Sequence, residues 1–379
     1  MKSTQAVLPV KDSGLERALH VSFELGDRSW TLTFSDGRRA PGRLTITAGD
    51  QAAVLLCLAK AKARCGLPED AAVYSCYEAG RDGWWLHRWL RLQGVHNIVV
   101  DSSSIQVDRR ARRAKTDRLD GHSLLTLLIR YRAGESRVWS VVHEPPPHVE
   151  DQRRLHRELQ RLGREHTAHC NRIGSLLVLH NLRPAHVGDR AWQQWWPAHQ
   201  DLVPPQLRAE IERELQRLSL VKQQLRALEA QREREVAHNC HPLVTQLTRL
   251  RTIGPKSGWM LAKELFEWRH FDNRRQLAGS LGLTPTPYNS GNSRIDQGIS
   301  KAGNKRVRAL LVELSWRWLR LQPDSQLTHW FNQRFAHGSK RMRRIGIVAL
   351  ARRLAIALWR FATTGEIPSG ATLKPADAV

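Results

Sequence analysis

The chain has 379 residues, with 60 Lys and Arg against 36 Asp and Glu, a formal charge of +24 at neutral pH. That length exceeds one ordinary core and implies two or three domains, and that charge points to a phosphate-rich partner, DNA or RNA. The first residues lack the apolar core of a signal peptide, no run of 18 apolar residues occurs, and the five cysteines show no C-x-x-C spacing. The expectation is a soluble, cytoplasmic protein with reduced thiols, no zinc site and no membrane contact.

Residues 19–25 alternate apolar and polar, as a strand does, and residues 30–34 repeat this after Gly26-Asp27, so a hairpin is expected. Residues 43–47 read as a third strand and 50–64 as a helix. Val73–Glu78 reads as a fourth strand, followed by Gly80 and a helix bearing Trp84, Trp85 and Trp89. Ile98–Val100 is a short buried strand, and 116–132 a helix with Leu119, Leu124, Leu125 and Leu128 on its apolar side. Later strands alternate with helices, as parallel-sheet units do. Glu144-Pro145-Pro146-Pro147-His148 then reads as a stiff linker, because proline cannot continue a helix or a ladder.

Beyond it, 150–183 and 206–238 are long charged helical patterns. Leu218, Val221, Leu225 and Leu228 form a thin heptad seam, suited to pairing within or between chains. Between them lies Trp192-Gln193-Gln194-Trp195-Trp196, flanked by prolines. Residues 241–365 hold helical segments near 257–267, 273–281, 302–321 and 342–361. The tail after Gly365 is expected to be short and disordered. The chain thus reads as α+β with three regions: 15–143, 150–238 and 241–365.

The chemistry concentrates in three places. Lys115-Thr116-Asp117-Arg118-Leu119-Asp120 puts two acids three apart on one helix side, next to Arg109, Arg110, Arg112, Arg113 and Lys115. Adjacent carboxylates repel unless a cation lies between them, and the basic run would draw in a polyanion. In an RNase H-like sheet the first and fourth strands are neighbours. Glu24 on the first strand, Glu78 at the end of the fourth, and Asp117 and Asp120 would then converge, with Asp27 and Asp101 as competitors. Oxygen-only ligands suit Mg²⁺ or Mn²⁺, and two such ions roughly 3.5–4 Å apart can serve phosphoryl transfer.

The second place is Thr252-Ile253-Gly254-Pro255-Lys256-Ser257-Gly258, which reads equally as a helix-hairpin-helix phosphate turn or a plain capping turn. The third is Leu283–Gly291, where Ser290 stands between Asn289 and Gly291. It is followed by Gly298–Arg306, whose Lys301, Lys305 and Arg306 could hold phosphate. Ser290 could be presented at close range by a loop, with Ser293 and Ser300 as alternatives. No His/Asp partner is spaced for a hydrolase triad.

Taken together, these residues resemble the DEDD-type insertion-sequence transposases of the IS110/IS1111 group, which have a RuvC-like N-terminal domain. The resemblance rests on Lys115–Asp120, Glu78, Ile253-Gly254, Leu281-Gly282-Leu283-Thr284-Pro285 with Ser290-Gly291, and Ile299–Asn304 with Arg308, and spans about 20–365. It implies a site-specific recombinase that cuts and rejoins DNA. The implied metal ligands for Mg²⁺ are Glu24, Glu78, Asp117 and Asp120, and the implied nucleophile is Ser290. Implied partners are donor and target DNA, a structured non-coding bridge RNA, and further copies of the chain as a dimer or tetramer. The chain departs from the family's usual Asp at the first position, where it has Glu24, and has Thr252 where a first glycine of the turn is common. Two rival readings remain: a structure-selective nuclease in which water attacks, and an inactive nucleic-acid-binding relic.

Overall fold

A computed structural model describes residues 17–105, 117–290 and 293–375. The chain divides into two compact units, Met1–Glu144 and Pro145–Val379. Among the described residues no helix is long and apolar enough to cross a membrane. All five cysteines are free thiols.

The first unit is α+β. Strands β1 (Leu19–Leu25), β2 (Ser29–Ser35) and β3 (Gly42–Thr47) run antiparallel in turn, followed by helix α1 (Gln51–Cys65). Strand β4 (Val73–Glu78), helix α2 (Trp85–Leu92), strand β5 (His96–Val100) and helix α3 (Asp117–Arg132) complete it. The mixed sheet has the order β3-β2-β1-β4-β5, with β4 parallel to both β1 and β5.

Alternation along β1 separates two faces. Leu19, Val21 and Phe23 pack with Trp30, Leu32 and Phe34, with Val54 and Leu58 of α1, and with Leu86 and Leu90 of α2. The other face is polar in β1 yet also covered. Cys76 and Val100 pack against Leu124, Leu127 and Leu128 of α3. Buried Ser22 is accommodated there by donating its hydroxyl to the Gly121 carbonyl at 2.7 Å.

The second unit is mostly helical. Helices α4 (Pro147–Val178) and α6 (Pro205–Ala237) pack side by side within the chain. His169 faces Glu214 and Arg172 faces Glu210, so the pair is antiparallel. Helix α5 (Arg190–His199) closes the far end, where Trp192 and Trp196 pack against Ile173, Leu177, Ile211 and Leu218. Leu218 and Val221 of the heptad seam are buried, and Leu225 and Leu228 are half-buried.

Helices α7 (Pro242–Thr248), α8 (Pro255–Leu261) and α9 (Arg274–Ser280) follow, with one π-helical turn at Ala262–Phe266 continuing α8. A two-stranded antiparallel hairpin comes next, β6 (Pro285–Ser290) and β7 (Ser293–Ile299). Helices α10 (Lys305–Leu321), α11 (Gln326–Phe335) and α12 (Lys340–Thr364) end the unit.

Three expectations are corrected. The proline run does not stay outside the helix: Pro147 occupies the first turn of α4, where its missing N–H costs nothing and its fixed φ suits a helix. Ser290, expected in a loop, ends strand β6 of a two-stranded hairpin with β7. Residues 366–375 of the tail after Gly365, expected to be disordered, are held by backbone bonds. Arg251 N donates to Thr372 O at 3.2 Å, Lys374 N to Arg249 O at 2.7 Å, and Gln326 N to Ser369 O at 3.0 Å.

Two buried charges on the π-turn join the elements of this unit. Lys263 and Glu264 are each 2% exposed. Glu264 accepts from His156 Nε2 at 2.8 Å, from Arg157 Nε at 2.7 Å and Nη2 at 3.0 Å, and from Asn304 Nδ2 at 3.4 Å. Lys263 Nζ donates to Gln152 at 2.9 Å and Glu267 at 2.7 Å, and meets His241 Nδ1 at 2.9 Å. Burial by itself would raise the Glu264 carboxyl's pKa. The hydrogen bonds from His156 and Arg157 outweigh burial and hold it well below the usual carboxylate range. The stabilisation is therefore present above the unfolded value of about 4.3 and is lost as pH falls below it. Glu264→Gln should cost about 3 kcal/mol, the low end for a broken buried pair because Arg157 is partly exposed. It should also flatten the acid limb of stability below about pH 4.3. Denaturant titrations between pH 3 and 7 check both, and an unchanged acid limb would show that Glu264 is not the responsible carboxylate.

Candidate nucleic-acid site

Glu24, Glu78 and Asp120 stand on elements that share one side of the sheet. Glu24 lies two residues after Ser22 on β1, and Glu78 two after Cys76 on β4, so both belong to the face covered by α3. Phe23 pairs with Tyr77 in the parallel register, which puts Glu24 and Glu78 at the next level of neighbouring strands. Asp117 and Asp120 occupy the first turn of α3. A Cβ on Gly121 would lie 3.8 Å from Glu24 Oε2, so the helix start crosses directly over β1. Among the described residues no three His, Cys, Asp or Glu side chains gather as a metal-binding group. The Asp117 side chain and the basic run Arg109, Arg110, Arg112, Arg113 and Lys115 lie outside the described residues.

The competing acids stand differently. Asp27 sits in the β1–β2 turn and pairs with Arg81. Asp101 follows β5, with its amide bonded to Ser140 O and its carbonyl accepting from Ser104.

Sequence reasoning passed over Gly121, although a lone glycine inside a helical pattern often marks a close approach. A Cβ there would stand 2.7 Å from Thr33 Oγ1 on β2. Only glycine lets α3 approach the sheet so near.

Ser290 ends β6 and pairs across the hairpin with Ser293. The family-like segments around it build the hairpin's base. Gly282 and Gly303 both have positive φ, 64° and 81°. A Cβ on Gly282 would be 2.0 Å from Ala302 O, and one on Gly303 2.1 Å from Ser280 O. No side chain fits at either place. Arg308 donates to Leu281 O at 2.9 Å and Ala302 O at 3.2 Å. Ser300 N donates to Thr284 O at 2.9 Å, and Thr284 Oγ1 reaches Ser300 Oγ at 3.2 Å, so Ser300 belongs to this base. Asn304 caps α10 by accepting from Arg306 N and Val307 N, which leaves Lys305 and Arg306 exposed in its first turn.

The glycine turn lies between α7 and α8, with Lys256 exposed at the start of α8. Its Arg251 and Ile253 amides are already bonded to the Thr372 and Leu250 carbonyls, so they are not available to phosphate.

Residues 244–329, which contain the turn, the hairpin and its base, match the family described as Transposase IS116/IS110/IS902. Over nearly the whole chain (94%, and 95% of the relative), it is 38% identical to y4rJ of Sinorhizobium fredii, to which a transposase role is ascribed. The chain belongs to the IS116/IS110/IS902 family of transposases. The transposase is also 28% identical over 233 residues to the transposase for insertion sequence element IS1328 of Yersinia enterocolitica, covering 60% of this chain and 68% of that one. As a member of that family it is an insertion-sequence transposase, whose partner is DNA.

Gly121→Ala in this transposase should destabilise the first unit by about 1–3 kcal/mol through overpacking against Thr33. Adding Thr33→Ala should recover part of that loss. Chemical denaturation of the full chain reads both, and a neutral Gly121→Ala would mean that α3 does not sit so close to the sheet.

Proposed function

We propose that the transposase cuts and rejoins DNA strands through a covalent phosphoserine at Ser290, with Glu24, Glu78, Asp117 and Asp120 forming an RNase H-like carboxylate site. The observation that carries the acid half is their common face: two neighbouring strand ends and the first turn of α3. The sheet order β3-β2-β1-β4-β5, antiparallel and then parallel, supports the RNase H-like reading. The donor set is made of hard carboxylate oxygens, which fit Mg²⁺ or Mn²⁺. Such an ion, when bound, neutralises phosphate charge and favours ionised oxygen nucleophiles.

Ser290 stands on a hairpin whose base is fixed by Gly282, Gly303 and Arg308, a rigid mount for a nucleophile. Its hydroxyl loses a proton and attacks phosphorus. A P–O(Ser) bond forms, the strand's P–O bond breaks, and the departing strand oxygen takes up a proton. Rejoining is the reverse attack by a strand hydroxyl, which releases the serine. The phosphoester keeps the bond energy for that second step. Lys301, Lys305 and Arg306, beside the hairpin base, are placed to hold flanking phosphates. A structured non-coding RNA would bridge donor and target DNA, and a homodimer or tetramer would bring two cutting sites to them.

Recombination by purified protein with RNA, Mg²⁺ and both DNAs tests this. Ser290→Ala and Asp120→Asn should each lower strand exchange by at least a thousandfold. DNA binding should change less than threefold, since either substitution is small against a charge of +24. Full strand cleavage by Ser290→Ala would instead assign the attack to water.

A further inference from the structure

A groove of about 1150 Å³ lies within the second unit, beside the hairpin base. One wall is a single stripe of α12: Arg341, Arg344, Arg352, Arg353 and Arg360. Arg341, Arg344, Ile345, Val348, Arg352, Ile356 and Arg360 recur at helical spacing, so they line one face for about 28 Å at 1.5 Å per residue. Arg274 and Arg275 of α9 and Lys301 after β7 face them. Of these eight cations only Arg360 has an ion-pair partner among the described residues, Glu366 at 3.9 Å. Trp330 of α11 holds Arg353 by stacking, with the guanidinium carbon 4.1 Å from the ring centroid.

The floor is apolar, made by Leu327, Ile345, Val348 and Ile356, and Ile345 is 49% exposed. A bare phosphate needs no such floor. A duplex, whose bases are stacked inside, would leave it facing water. An unpaired strand satisfies both parts, with phosphates on the arginines and base faces on the aliphatic side chains. Pro285, Gln297, Gly298 and Ile299, at the root of β6 and β7, form the adjoining wall. Strand β6 runs from that wall to Ser290, about 17 Å at 3.3 Å per residue.

We propose that this groove binds an unpaired DNA strand flanking the attacked phosphate. Its place beside the attacked phosphate rests on the reading of Ser290 as nucleophile, whereas the choice of unpaired DNA rests on the family assignment, so strand binding and the nucleophile can fail separately. Cutting and rejoining frees strand ends, and a groove rooted at the hairpin would hold such an end within a few nucleotides of the tip.

The test is fluorescence anisotropy of the full chain with labelled oligothymidylate, a duplex of equal length, and oligouridylate. Arg344→Gln with Arg352→Gln should weaken oligothymidylate binding at least tenfold. Its log–log salt slope should drop by about 1.4, near 0.7 per lost contact. Arg213→Gln with Arg226→Gln, equal in charge but exposed on α6, should cost less than threefold. Ile345→Ser should weaken unpaired DNA severalfold, leave the salt slope intact and spare the duplex. Photocrosslinking of wild-type protein to a bromodeoxyuridine strand should label peptides from α12. A groove variant no worse than the control, a larger loss for the duplex or for oligouridylate, or crosslinks that avoid α12 would overturn the proposal.

Discussion

The second unit depends on two oppositely charged residues buried side by side, Lys263 and Glu264. Neither charge could be taken from water alone, because an unpaired buried ion is far too costly. Each therefore requires partners from other elements. Glu264 needs His156 and Arg157 of α4 and Asn304 at the head of α10. Lys263 needs Gln152 of α4 and His241 at the head of α7. The π-turn gives the backbone one extra residue at this point, a local irregularity of a kind often found at functional sites. The arrangement forms as a whole or leaves an uncompensated charge. Its reach to Asn304 ties the long helices to the base of the hairpin that carries Ser290.

Much of the first unit was legible in the sequence. Strands β1 and β2 alternate cleanly, and Gly26, Gly37 and Gly80 follow β1, β2 and β4 within two residues. Glu78 reads at a strand end in the sequence and ends β4 in the structure. The covering of the polar face of β1 was less visible, because Ser22 reads as solvent-facing until Gly121 offers its carbonyl. The hairpin was hidden for a different reason. Pro285-Thr286-Pro287-Tyr288-Asn289-Ser290 has little strand propensity, and the hairpin is anchored by close backbone contacts at Gly282 and Gly303, which no periodic pattern encodes. The ordered tail was missed similarly, since its docking uses main-chain bonds to Arg249, Arg251 and Gln326. The α12 arginines were visible as a helix, but their meaning required α9 and β7 opposite them.

Family membership rests on the whole length of the chain, and the family's characteristic segments have distinct physical jobs. Leu281–Pro285 and Ile299–Asn304 shape backbone and hold a hairpin in position. Glu24 and Glu78 end neighbouring strands on one face of a sheet, and Asp120 lies in the first turn of the helix that covers it. In the proposed mechanism the nucleophile Ser290 and the acids are carried by different units, joined at Glu144–Pro145. Under that mechanism neither half completes the chemistry alone, so cutting would wait until DNA is held.

The most direct measurement is the identity of the protein–DNA bond. Protein quenched during strand exchange on DNA, digested with protease and nuclease, should yield one modified peptide in mass spectrometry, a phosphoester on Ser290. Cleaved DNA with no attached peptide, or a phosphoester on Ser293 or Ser300, would contradict Ser290 as the nucleophile.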